Sequence, residues 1–354
     1  MANILFRVEG TEQTGYGHLV RCLLLAQYLR DQHDITCYFS SQRDTPGYQR
    51  AVEQEFDTYQ FRHLNHPYVP FTRHPGASYE PGGAEEVMAR YGSRFAAIIF
   101  DLPGGPPPAE LRAVPAGILK VSLNDPDPDN LTDLLFYPIR HHVNRAMYDP
   151  FMGEKYAGPE WALLRPEFAQ VKWRGWNEAS PPHIFIAGGA ADSKGIILKT
   201  LRALSLLDFQ VSVDVMVSKL YKDRDKLNYP NLESPHFITV HTELQRPWEV
   251  LAHTTLAVLS FGVTAFETMA AGIPTLCMSI SDDHESAADA LSGGLVHLGP
   301  VEDVSEQRIA HAIRNVLRSD ALARLSANAR QMVDGKGVER VAAKIVECIS
   351  KEQP

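Results

Sequence analysis

The run NILFRVEGTEQTGYGHLVRCLLLAQYLR, residues 3–30, decides the fold of this chain. Its opening, NILFRV (3–8), is mostly apolar and reads as a buried strand. Gly15 and Gly17 follow. Then HLVRCLLLAQYLR (18–30) sets Leu19, Cys22, Leu23 and Ala26 at i, i+3, i+4 and i+7, one face of a helix. A strand that turns through glycine into such a helix begins a βαβ unit. His18 stands at the helix start, where the positive end of the dipole disfavours an imidazolium. A neutral imidazole there can accept a proton, and the glycines let the backbone come close to a ligand. On the residues alone, a histidine that merely bonds the neighbouring loop is an equal alternative.

The same alternation continues outward. ITCYFS (35–40), AAIIFD (96–101) and GILKVSLND (117–125) read as strands, and AEEVMARYG (84–92) as a helix. Residues 59–82 are rich in Tyr, His, Pro and Gly without a period. They hold His63, His66 and His74, but no carboxylate or Cys completes a ligand set, so a loop is expected there and not a metal site. AQVKWRGWNEASPP (169–182) reads as a linker. After it come strands at 183–189, 210–218, 237–241, 255–261 and 273–280. Helices are predicted at 193–207, 265–272 and 284–294, then at 304–318, 320–333 and 337–351. The expected architecture is α/β: two Rossmann-like, doubly wound domains, 1–168 and 183–354, facing a central cleft. The last helices could return to the first domain.

Composition narrows the partners. With 354 residues, two domains are the default. A net charge of −9 with scattered Lys and Arg is no nucleic-acid footprint. No apolar run has the length of a membrane span, and MANILFRVEG lacks the basic and long apolar regions of a signal peptide. Cys22, Cys37, Cys277 and Cys348 lie far apart in apolar surroundings, which fits reduced thiols in a cytoplasmic protein. A nucleotide, if one binds, must be held by local backbone dipoles.

Two glycine-rich turns could supply them. GGAADSKG (188–195) passes from strand to helix, with Gly189 and Ala190 at the turn. It lacks the spaced G-x-G-x-x-G pattern, so dinucleotide binding is a poor reading; phosphate contact and a simple tight turn both remain. SFGVTAFETMAAGIP (260–274) is more specific. Gly262, Val263 and Thr264 open a helix whose free amides can hold a diphosphate, and Glu267 lies one turn in, where ribose hydroxyls would meet it. A Glu that only favours a helix N-terminus is the bland alternative.

Taken in order, ILFRVEGTEQTGYGHLVRCLLLA, YAGPEWALLRPEF (156–168), IAGGAADSKG, FGVTAFETMAAGIPT and DHESAADALSGG resemble the nucleotide-sugar hydrolase family of pseudaminic acid biosynthesis, with its related spore-coat polysaccharide protein. The G-x-G-H-x-x-R and ALLRPEF blocks are the most specific parts. The resemblance implies a MurG-like GT-B fold and a substrate that is a small-molecule nucleotide sugar. It implies inverting attack of water on a UDP-linked 2,4-diacetamido-2,4,6-trideoxyhexose, with UDP released. His18 falls on the family's active-site histidine and Glu267 on its ribose-binding glutamate. Asp101, at a strand end, would orient the sugar or the histidine. Tyr16, Gly17 and Arg21 line the same turn, although a structural helix arginine is as good a reading of Arg21. In the helix of the DHESAADALSGG block, the family has Asn-Gln ahead of Glu-Ser, whereas this chain has Asp283-His284-Glu285-Ser286. An ionised carboxylate cannot donate a hydrogen bond, so the donors offered to the sugar or phosphate differ. No cofactor and no metal are expected. A glycosyltransferase of the same fold and a non-catalytic nucleotide-sugar binding protein are the alternatives, and the oligomeric state is not legible.

Overall fold

The computed structural model describes all residues except 1, 10–16, 43–50, 52, 55, 62–83, 103, 128, 139–150, 178, 190, 228–235, 319 and 353–354. His63, His66, His74, Tyr16 and Ala190 therefore lie outside the described residues. The chain forms two compact units. Unit 1 runs to Pro138, includes the segment ending at Leu163, and takes back the residues from Gly337 onward. Unit 2 is Leu164–Lys336.

Unit 1 is built on a parallel sheet of β1 (Asn3–Val8), β2 (Thr36–Gln42), β3 (Asp57–Phe61), β4 (Ala97–Asp101), β5 (Leu119–Leu123), β6 (Leu134–Tyr137) and β7 (Glu154–Ala157). The order across the sheet is β3-β2-β1-β4-β5-β6-β7. Apart from Asn3, every residue of β1 and β4 is buried, Arg7 and Asp101 included, which explains why the rest of both strands reads as an apolar run. One face packs the helix Gly17–His33 through Leu19, Cys22, Leu23 and Ala26, the stripe read from the sequence. The same core takes in Val338, Val341, Ala342, Ile345 and Ile349, at helical spacing on Gly337–Glu352. Thus the last helix completes the core of the first unit. The other face packs Leu5, Ile98 and Phe100 against Met88 and Leu111.

Unit 2 repeats the plan with β8 (His183–Ala187), β9 (Ser212–Val217), β10 (Phe237–Thr242), β11 (Leu256–Ser260), β12 (Thr275–Ser279) and β13 (Val296–Pro300). Its order is β10-β9-β8-β11-β12-β13, all parallel. Ile184, Ile186, Val213, Val215, Leu256 and Val258 pack on Ile196, Ile197, Leu201 and Leu204 of the helix Ile196–Leu204.

Four strands exceed the sequence reading. β3 falls at the edge of the stretch read as irregular; β6 has only four residues; β7 is a polar edge; β13 ends in Gly-Pro. None offers a long apolar period. In both sheets the order reverses between two neighbouring strands, β1 and β4 in unit 1, β8 and β11 in unit 2. Open α/β sheets bind ligands outside the carboxyl ends of the strands at such a reversal. No described helix is long and apolar enough to cross a membrane, and the four cysteines are free thiols.

Candidate active site

At the reversal in unit 1, Asp101 is the last residue of β4 and His18 is in the first turn of the helix after β1. Their backbones are set by the parallel pairing of β1 with β4, which puts Val8 beside Asp101. The Asp101 side chain is fully buried, and those of His18 and Arg21 are 19% and 16% exposed. His18 Nδ1 lies 2.7 Å from Asp101 Oδ1. Arg21 donates to both carboxylate oxygens, from Nε to Oδ2 at 2.5 Å and from Nη2 to Oδ1 at 2.6 Å. Cys22 Sγ adds a contact to Oδ2 at 3.5 Å. With its amide oxygen turned to the guanidinium, Asn124 accepts from Arg21 Nη1 at 2.9 Å.

Burial pushes the Asp101 carboxyl up, but the charge and hydrogen bonds of Arg21, with the bond from His18, outweigh it and hold the group below its ordinary value. Burial likewise opposes the Arg21 charge, and Asp101 more than restores it. An ionised Asp101 can only accept, which assigns the histidine proton to Nδ1. Arg21 Nη2 also lies 2.7 Å from Nδ1, but it has Asp101 Oδ1 as its acceptor. The assignment leaves the lone pair of His18 on Nε2, the arrangement of a base oriented by a buried carboxylate. Arg21, placed in the sequence reading beside the ligand, has Nε and Nη2 engaged by Asp101. Gly17 is exposed at the helix start.

At the reversal in unit 2, two turns meet. Gly189 follows β8 in the left-handed region, at φ +82°, and a side chain there would lie 3.3 Å from Ser260 Oγ at the end of β11. Gly188 has no room for a side chain because the Asp192 carboxylate lies against it. Asp192 accepts from the amides of Ile196 at 2.8 Å and Ile197 at 3.0 Å. The helix after the first turn is therefore already capped by a carboxylate. Ser281 caps the helix Asp282–Ala290 by accepting from His284 N at 3.3 Å. The helix Val263–Ala270, after Gly262, has no side-chain cap, and Val263 is exposed. Of these three helix starts, this one presents uncapped amides to an anion.

Glu267 sits one turn into that helix and is half-buried. Burial raises its carboxyl to about 7, against the charge of Arg165 and a hydrogen bond from Thr264. Arg165 is held over the Trp248 ring at 4.6 Å and donates to the Gln245 carbonyl at 3.0 Å. The sequence reading did not single out Arg165, although it is the one cation inside the ALLRPEF block. Asn124 and Cys22 were not named as site residues either; nothing in their spacing marks them.

His284 stacks edge-on against Phe261 at 5.8 Å, beside the Gly262 turn. Burial lowers its pKa, opposed by Asp283, and its buried Nδ1 has no hydrogen-bond partner among the described residues. Asp283 and Glu285 lie in the first turn of the same helix, and Ser286 follows. The structure thus groups His18, Arg21 and Asp101 in unit 1. In unit 2 it sets Gly189 near Ser260, and His284 against the residue before Gly262.

No protein-family model matches this chain. It is 22% identical to the spore coat polysaccharide biosynthesis protein SpsG of Bacillus subtilis, over 97% of this chain and 98% of that one. Its fold is similar to that of MurG from Acinetobacter baumannii, with a TM-score of 0.73 and 14% identity over 98% of this chain and all of that one. A glycosyltransferase from Rickettsia africae matches at a TM-score of 0.68 and 12% identity, covering 99% of each chain. HepE from Anabaena, solved in complex with UDP and glucose, matches at 0.59 and 14% over 99% of this chain and all of that one. At such identities the likeness is one of fold: the chain has the GT-B fold.

Proposed function

We propose that this chain is a nucleotide-sugar enzyme that transfers a glycosyl group, with donor binding assigned to unit 2 and acceptor activation to unit 1. The observation that carries this is the buried Asp101 carboxylate, locked by Arg21 and aimed at Nδ1 of His18 at a sheet reversal. Burying such a pair carries a desolvation cost that hydrophobic residues of the same volume would avoid, and orienting a base is a role that accounts for keeping it. The sequence reading put hydrolysis first. The GT-B neighbours, the Rickettsia glycosyltransferase among them, move the weight to transfer.

The donor diphosphate rests on the uncapped amides at Val263 and Thr264, and Glu267 accepts from the ribose hydroxyls. UDP is the nucleotide of choice, supported by the family resemblance and by the UDP complex of HepE. His18 Nε2 takes the proton of the acceptor hydroxyl. The acceptor oxygen bonds to the anomeric carbon, the C–O bond to the diphosphate breaks, and its electron pair leaves with the diphosphate. Attack opposite the leaving group inverts the centre. Helix-start amides stabilise the negative charge that builds on the diphosphate. Asp101 stays ionised throughout and steadies the imidazolium; Arg21 is a positioning residue that keeps it so.

The second reading keeps every role and puts water in place of the acceptor hydroxyl, releasing UDP from a UDP-linked 2,4-diacetamido-2,4,6-trideoxyhexose. The G-x-G-H-x-x-R and ALLRPEF blocks favour it. Nucleotide release from a panel of UDP-sugars separates the readings. Release that requires an added hydroxyl acceptor supports transfer, and full turnover in buffer alone supports hydrolysis. UDP-sugar binding without turnover under either condition would refute both and leave a binding protein.

A further inference from the structure

Away from both reversals, unit 2 gathers a group of side chains that the function above does not use. His183 opens β8, Asp214 lies in β9, His241 in β10, and His253 follows the helix Pro247–Leu251. The register pairs Phe185 with Asp214 and Asp214 with Thr239. By alternation, His183, Asp214 and His241 share one sheet face, opposite the face on which Ile184, Ile186, Val213 and Val215 meet the helix Ile196–Leu204. The group sits at the amino end of β8, roughly 15 Å along the strand from the Gly188–Gly189 turn.

The geometry is unusual for a plain polar edge. His183 Nδ1 is 3.7 Å from Asp214 Oδ2, too far for a hydrogen bond. That nitrogen is shut off from water and has no hydrogen-bond partner among the described residues. The His253 ring stands edge-on to the His183 ring at 5.4 Å. One ligand atom from each of His183, Asp214 and His253 lies within 4.8 Å of the others. The second oxygen of Asp214 accepts from His241 Nε2 at 2.7 Å.

We propose that His183, Asp214 and His253 form a site for a divalent transition-metal ion of the Zn²⁺ class, with His241 orienting the Asp214 carboxylate. Two imidazoles and a carboxylate suit Zn²⁺, Ni²⁺ or Cu²⁺, whereas Mg²⁺ and Ca²⁺ call for oxygen ligands throughout. Ligand bonds of about 2.0–2.1 Å put tetrahedral donor atoms roughly 3.3 Å apart. The three donor atoms would have to draw together to that spacing, and His253, on an exposed turn, is the ligand best placed to adjust. The ion would give the stranded Nδ1 of His183 its missing partner. It would also tie the start of β8 to β9 and to the turn that leads into β11. Three protein ligands leave a fourth position for water on the exposed side.

The test uses the full chain without an affinity tag, stripped by chelator. Calorimetric titration with Zn²⁺ should show one saturable site per chain, with a rise in melting temperature. Co²⁺ should give the intense visible bands of a tetrahedral site. His253→Ala and Asp214→Ala should each weaken binding at least about tenfold, and His241→Ala by roughly 10–100-fold, the usual effect of losing an outer-shell partner. UDP affinity of the metal-free chain should be the same for His253→Ala as for the parent. His253 is exposed, so its variant keeps the fold. Saturable Zn²⁺ binding that is unchanged in His253→Ala and Asp214→Ala would place the ion elsewhere and overturn the site, as would the absence of saturable binding.

Discussion

Glu267→Gln gives a test whose sign and size both come from the structure. Burial lifts the Glu267 carboxyl from 4.5 to about 7, even with Arg165 and Thr264 opposing. Between those values the folded chain keeps a proton that the unfolded chain has lost. Folding stability therefore falls as pH rises through this window, because the native state binds more protons. At about 1.4 kcal/mol per pK unit the loss is capped at about 3 kcal/mol, and partial exposure brings it lower. A glutamine does not titrate. The variant should match the parent near pH 4.5 and be more stable than it at pH 8, by up to about 3 kcal/mol. Urea unfolding of both proteins at intervals from pH 4.5 to 8 reads this directly, since titrations common to both cancel in the difference. Parallel stability curves would refute the burial argument. Function supplies the counterpart. Ribose hydroxyls that donate to Glu267 favour the carboxylate, so UDP binding near pH 6 should release a proton from the parent and none from Glu267→Gln.

Three further outcomes are expected. His18→Ala should lower kcat by about 10²–10⁴-fold with the UDP dissociation constant unchanged; a dissociation constant that rises as much as kcat falls would make His18 a ligand contact. Arg21→Met leaves the Asp101 carboxylate buried without its counter-ion and should cost about 3–5 kcal/mol in thermal or urea unfolding; adding Asp101→Ala should recover much of that stability without restoring turnover. Asp192→Ala removes the acceptor for the Ile196 and Ile197 amides and should cost about 0.5–2 kcal/mol, with little effect on UDP affinity if the donor uses the other turn.

The fold was legible because its centre is strongly periodic. The largely apolar interior strands and the Leu19–Ala26 stripe declare a βαβ unit, and the restart at His183 declares a second. The edges were not, because short or polar strands such as Glu154–Ala157 carry no alternation to read. Nor does the sequence say that the helix Gly337–Glu352 completes the core of the first unit; its apolar spacing shows only that it must pack somewhere. At the site, His18 and Glu267 stand out from their places near helix starts, and Asp101 through the family resemblance. What joins them is long-range. Arg21 and Asp101 are 80 residues apart in the chain, and a helix arginine looks the same whether solvated or locked to a buried carboxylate. The Asp192 cap was hidden because GGAADSKG reads equally well as an anion turn. His183, Asp214, His241 and His253 match no ligand spacing; the first three meet through strand register, and His253 arrives from the turn before β11.

The most direct measurement is thermal stabilisation by a panel of nucleotides: UDP, UMP, CMP, CDP, GDP, dTDP and ADP. A ligand at about 100 times its dissociation constant adds about 2.7 kcal/mol to stability, a shift that is easily seen. UDP should give the largest stabilisation, and Glu267→Ala should reduce it. Stabilisation by a purine nucleotide or CMP in place of UDP would contradict the choice of donor, and no stabilisation by any member of the panel would contradict the nucleotide-sugar function itself.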